Sequence, residues 1–218
     1  MKTNNPIRGL LQFYYFSQSG NIAIVMLACL VGAAVLLITG NHQVMNGFNI
    51  IAVVCLPFAF MMKMSGKEYP KWERYRIAMP IKRSDLASAQ FLCILLASLA
   101  GLPLAVLVNV LTFTIHEIDY HTLTSAIISI LSALAMPLFM SGLLFTLGCL
   151  KIGENRGDAF FLICTAPAVA NTLFMLWITD RFELPVFVAP LMAIAVSLAV
   201  FICSYFITRR IYAKMDFL

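Results

Sequence analysis

Residues 63–85 read KMSGKEYPKWERYRIAMPIKRSD and form the one long charged segment of an otherwise apolar chain. Seven of the fifteen Lys and Arg residues lie in it, with Tyr69, Trp72 and Tyr75 among them. It is flanked on both sides by runs long enough to cross a bilayer. A short basic loop between two such runs belongs on the cytoplasmic face, because Lys and Arg in short loops set orientation. Its aromatics lie at the depth where another protein can grip them, so the segment reads as a handle for a partner.

Working outward, the 218 residues are 61% hydrophobic and only 11% charged, where soluble domains are about a quarter charged. One water-soluble core of this size cannot hide so much apolar surface. A hydrocarbon layer of ~30 Å asks for about twenty apolar residues per helix. Six runs qualify, at roughly 20–39, 47–62, 87–114, 122–149, 159–178 and 185–207. The expected fold is an all-α integral membrane protein, a single transmembrane domain over 1–218 with both termini cytoplasmic. On that orientation fourteen of the fifteen basic residues are inside and Arg181 alone is outside. The formal charge of +5 then reports topology and contact with anionic lipid. It does not point to nucleic acid, since no basic tract with exposed stacking aromatics lies outside the membrane loops.

Residues 6–18, PIRGLLQFYYFSQ, are too short and too polar to cross. On a helix Ile7, Leu10, Leu11 and Tyr14 share one face, and Pro6 suits a first turn. This predicts an amphipathic helix in the headgroup plane. Gly40-Asn41 closes the first span ahead of an outer loop of about seven residues. Asp85 or Ser84 is the expected N-cap of the third span, and Asp158 that of the fifth. The third and fourth spans, near 28 residues, would be about 42 Å long and must tilt or protrude. Small residues four apart (Ala97/Gly101, Ala166/Ala170, Ala193/Ser197) permit close helix contact. The six cysteines lack CxxC spacing and read as packing residues. Met26–Cys29 resembles a lipoprotein cleavage site too weakly to predict a cleaved signal.

No Asp, Glu, Lys, Arg or His lies near the middle of any span. Ion-coupled transporters, proton relays and intramembrane proteases work with charge at depth, and this chain offers neutral groups there: Asn109, Thr112, Asn171 and Thr172. A GxSxG elbow and a GxxxxGK[ST] phosphate cradle are both missing from the sequence. If cargo moves uphill, a separate subunit supplies the energy. Asn109 and Asn171, with the helix-interior Pro103 and Pro137, are the candidates for a translocation path. His116, Glu117, Asp119 and His121 suggest a metal by residue type. Their H-E-x-x-x-H spacing is one residue too long for the helical zinc motif, and a short polar outer loop explains them, so no metal is assigned.

Trp72 alone would be an interfacial anchor. It sits among Glu68, Tyr69, Lys71, Glu73, Arg74, Tyr75 and Arg76, and Pro70 can start a short helix there. An aromatic set among mixed charges is the make-up of an interface hot spot, which favours docking of a partner.

The amphipathic start, the six spans and the loop K-W-E-R-Y-R-I-A-M-P-I-K-R-S-D-L together resemble the permease subunits of bacterial ATP-binding-cassette exporters. Among these the chain is most similar to permeases that export phenol-soluble modulins and related amphipathic peptides. The motif resemblance rests on Trp72, Glu73, Tyr75, Met79-Pro80, Lys82-Arg83 and Leu86. The chain departs from that pattern at Arg8-Gly9 and Gln12, and at Gln90-Phe91 where the family often has Lys-Tyr. The resemblance implies two permease chains, a homodimer, forming the path, each gripped by an ATPase that binds ATP and Mg. Residues 68–78 would be the coupling helix, with the N-terminal helix and the second cytoplasmic loop (Lys151, Glu154, Arg156) beside it. Two alternatives stay open at this point. One is a six-helix substrate-capture subunit of an ATPase-driven vitamin-uptake system. The other is a membrane enzyme with an outer His/Glu/Asp site.

Overall fold

The structure is a computed structural model that describes residues 6–17, 19–65, 82–116, 119–149 and 158–214. Its described elements are helical: α1 (Pro6–Ser17), α2 (Ser19–Thr39), α3 (His42–Ser65), α4 (Arg83–His116), α5 (Tyr120–Cys149), α6 (Asp158–Arg181) and α7 (Val188–Lys214). Helices α2 to α7 are the six long and apolar enough to cross a membrane, as their composition requires. In lipid each backbone N–H and C=O must be satisfied within its own segment, which a helix does. The interior prolines Pro57, Pro103, Pro137 and Pro167 leave their helices continuous.

Several boundaries differ from the sequence reading, the last helix among them, which runs from Val188 to Lys214 rather than over 185–207. The connection between α2 and α3 is two residues, not seven. Gly40 takes the left-handed conformation (φ 59°) that ends helices, and its N–H donates to the Leu36 carbonyl at 2.9 Å. Asn41 then caps α3, accepting the Gln43 N–H on Oδ1 at 2.8 Å. The polar run His42–Asn46, read as loop from hydropathy, is thereby the first turn of a helix. At the start of α4 the helix begins at Arg83, and the Asp85 N–H donates to the Lys82 carbonyl at 2.9 Å. The cap position is Lys82, so Ser84 and Asp85, the expected caps, lie inside the first turn, two and three residues past it. Helix α4 is also longer than predicted: its 34 residues make about 51 Å.

Helices α3, α4, α5 and α7 make the middle of the bundle, while α2 lies against α3, and α6 against α5 and α7. Burial follows this order. In the apolar stretch of each span 56% of α3 is buried, against 11% of α2 and 17% of α6. Of the three small-residue pairs, Ala97/Gly101 and Ala193/Ser197 are buried, whereas Ala166 and Ala170 are exposed. Gly101 marks the tightest approach: a Cβ there would overlap the Ala52 carbonyl and stand 2.8 Å from Val53 Cα. Two backbones meet here with nothing between them, which glycine alone permits.

The amphipathic helix α1 uses the face the sequence assigned to it. Leu10 is buried, with Ile7 beside it, against Leu86, Ala87 and Ala89 of α4 and Tyr212 of α7. Arg8 and Gln12 are exposed. The start of the chain and the end of α7 thus share one end of the bundle, the end from which residues 66–81 depart and to which they return.

Candidate functional site

The end next to residues 66–81 is built from rings. Phe91 of α4 packs against Phe145 of α5 at 4.8 Å between centroids and against Phe201 of α7 at 5.0 Å. Tyr205 meets the Phe91 ring edge-on at 5.5 Å. Tilted and edge-on arrangements of this kind are what ring quadrupoles favour. The Ser88 hydroxyl is spent on the Ser84 carbonyl at 2.9 Å, so in its 3.0 Å contact with Tyr205 Oη the tyrosine is the donor. Phe91 and Gln90 are the pair at which the chain departs from the family pattern. Here the phenyl ring is the hub of the cluster, and Gln90 is buried with its Nε2 unpartnered.

Toward the other end the contacts are polar. Asn109 of α4 donates both Nδ2 hydrogens, to Asn49 Oδ1 of α3 and to the Ala105 carbonyl, each at 2.6 Å. Asn49 Nδ2 donates to Ser129 Oγ of α5 at 2.8 Å and to the Ala126 carbonyl at 3.4 Å. The Ser129 hydroxyl in turn donates to the Ala126 carbonyl at 2.8 Å. One helical turn further out, Asn46 Nδ2 reaches Ser125 Oγ at 3.2 Å. Three helices are joined by one seam of amides and hydroxyls. A smaller seam joins α6 to α7, where Asn171 Nδ2 lies 3.3 Å from Ser197 Oγ and 3.4 Å from the Ala193 carbonyl.

The predicted path residues are thus placed in two separate seams. Asn109 is buried and Asn171 half-buried, each bonded across helices. Pro137 is buried and Pro103 exposed, so the two prolines do not share an environment. Asn49, the hub of the larger seam, was missed from the sequence. Its signal was available: with Asn46 it forms an i, i+3 polar pair on a helix that is otherwise apolar. The proposed coupling residues Glu68, Tyr69, Lys71, Trp72, Glu73, Arg74, Tyr75 and Arg76 lie outside the described residues, as do Lys151, Glu154 and Arg156.

Of the four residues weighed as metal ligands, His116 and Asp119 have other occupations, and Glu117 lies outside the described residues. His116 lies over Gly40, and its Nε2 is 2.9 Å from the Leu37 carbonyl; a carbonyl only accepts, so this nitrogen carries the hydrogen. Asp119 caps α5, accepting the Thr122 N–H at 3.1 Å and the Thr122 hydroxyl at 2.6 Å on Oδ1. These bonds to Thr122 hold its carboxyl below the usual carboxylate range. Among the described residues the buried polar side chains are all neutral. The interior can hydrogen-bond a guest and carries no charge for an ion or proton relay.

Among the described residues the bundle thus has six candidate spans and buried polar side chains that are all neutral. Residues 10–213 match the family model described as ABC-2 family transporter protein, and the chain belongs to that family. No curated protein and no solved structure matches it. The chain is a multi-pass membrane permease of the ATP-binding-cassette type, and permeases of this family work with ATPase subunits. That assignment favours the permease over both the vitamin-capture subunit and the membrane enzyme.

Proposed function

We propose that this chain is the permease of an ATP-driven exporter that moves amphipathic peptides or other membrane-active molecules out of a bacterial cell. Two copies form the path, both termini face the cytoplasm, and a separate ATPase with ATP and Mg grips each copy. The observation that carries the reading is the neutral interior. An amphipathic cargo is accommodated by scattered hydrogen-bonding groups among apolar walls, and the spans supply this in Asn109, Asn171 and the hydroxyls beside them. Pro103 and Pro137 complete the proposed path, and α1 doubles as the interfacial helix. The resemblance to exporters of phenol-soluble modulins supports the cargo class.

Coupling is assigned to Glu68, Tyr69, Lys71, Trp72, Glu73, Arg74, Tyr75 and Arg76, with Lys151, Glu154 and Arg156 alongside. The mixed charges argue for a protein partner, since simple lipid attraction needs Lys and Arg clustered without Glu68 and Glu73 among them. If Trp72 is a central anchor, Trp72→Ala weakens ATPase binding by about 2 kcal/mol while insertion in the membrane is unchanged. Pull-down of the ATPase, read beside cargo release from vesicles, tests this. Retention of both at wild-type levels would reduce Trp72 to a headgroup anchor.

A further inference from the structure

The seam between α3, α4 and α5 has an unanswered acceptor. Asn109 is 4% exposed, and its Oδ1 is buried with no hydrogen-bond partner among the described residues. Rotating the amide by half a turn does not repair this. Nδ2 faces the Ala105 carbonyl, which only accepts, so the oxygen cannot exchange places with it. Nor does a neighbour in the seam have a hydrogen to spare. Asn49 Nδ2 spends its two hydrogens on Ser129 and Ala126, and a carbonyl on Ala126 fixes that amide as well. The Ser129 and Thr112 hydroxyls are committed to the Ala126 and Val108 carbonyls. Asn46 Oδ1 is also unpartnered among the described residues, but Asn46 is only half-buried at the edge of the seam, whereas Asn109 is enclosed. Asn109 Oδ1 therefore takes its partner from outside the seam.

We propose that Asn109 Oδ1 is a recognition acceptor for a hydrogen-bond donor on the cargo, a primary ammonium or N–H group, which it meets when α4 parts from α3. The chemistry is one-sided. The free valence is an oxygen with no compensating positive charge in the seam, so it selects donors and rejects carboxylates and phosphates. The neutral amide recognises the N–H itself, since it offers an ammonium a dipole and not a counter-charge. The same valence can be filled by water, and the test separates the two sources. This inference rests on the proposed export of amphipathic peptides and names the group on them that is read.

The experiment uses the permease–ATPase complex in lipid nanodiscs and two synthetic amphipathic helices of leucine and lysine. They differ only in that one carries trimethyllysine, which keeps the charge and removes the N–H donors. The readout is peptide-stimulated ATP hydrolysis. The wild type is expected to respond to the lysine peptide at about tenfold lower concentration than to the trimethylated one, as loss of a charge-assisted hydrogen bond requires. Asn109→Leu should bring the two responses together, and Asn109→Gln, which keeps both an amide donor for the seam and an acceptor, should keep the gap. Asn109→Ala, likewise without an acceptor, replaces the leucine variant if that one does not assemble. Equal responses in the wild type mean that water alone fills the site, and they overturn the proposal. A gap that survives Asn109→Leu also overturns it, since the donor is then read elsewhere. Stimulation by neither peptide would overturn the peptide-export reading itself, and the inference with it.

Discussion

At the end of the bundle that carries residues 66–81, α4, α5 and α7 meet through Phe91, Phe145, Phe201 and Tyr205. Toward the other end α3, α4 and α5 meet through Asn49, Asn109 and Ser129. Ring contacts prefer tilted and edge-on geometries, but most of their worth is buried apolar area, which survives small slides of one helix along another. Amide and hydroxyl contacts fail within a few tenths of an ångström and some tens of degrees. The ring end is therefore the compliant one, and the polar end holds one register. The short α2–α3 turn and the His116 contact to the Leu37 carbonyl add to that fixity.

The contrast is most easily broken at Phe91. Phe91→Ala removes the hub of the ring cluster and is expected to cost about 3 kcal/mol, visible as a lower melting temperature of the detergent-purified protein. A change too small to measure would mean that Phe145, Phe201 and Tyr205 close the gap among themselves. Asn49→Leu attacks the polar end and removes three bonds, two of them given and one accepted. At ~0.6 kcal/mol per interhelical hydrogen bond the loss is about 2 kcal/mol. If the two ends differ as described, this variant also loosens the register of α3 against α4, read as broadened distances between spin labels on those helices. Phe91→Ala should leave those distances sharp.

The smallest effect is expected at Asp119. Its folded carboxyl is held below the ordinary range by Thr122, so its stabilising contribution is complete at neutral pH. It is lost as pH falls through that lowered value and Asp119 protonates. Thermal melts in increasingly acid buffer should show this decline in the wild type. Asp119→Asn keeps a side-chain cap and should flatten it, and an unchanged acid profile would remove Asp119 from the outer end's stability.

How much of this was legible beforehand depended on the kind of signal. The six spans were, because a hydrocarbon layer demands length and apolarity, and both are written one residue at a time. The start of α3 was not: His42, Gln43 and Asn46 look like loop until Asn41 is seen to cap the helix they begin. Asn109 stood out as a polar residue deep in a span, but its partner Asn49 lay too near a span's edge to be noticed. The ring cluster was hidden for a different reason. On helices apolar all round no periodicity says which face turns inward, so nothing singled out Phe91 from sixteen other phenylalanines. The departure at Gln90-Phe91 from the Lys-Tyr pair of the permeases that the chain resembles marked its position without saying that the position is a hub.

Gly101 bears on mechanics. Helices α3 and α4 are the elements on either side of residues 66–81 in the chain, and at Gly101 their backbones touch with no side chain between them. At that level the two helices are pinned against one another. Any parting of α3 from α4 is therefore confined to the turns on either side of Gly101, and the turn that carries Asn49 and Asn109 is one of them.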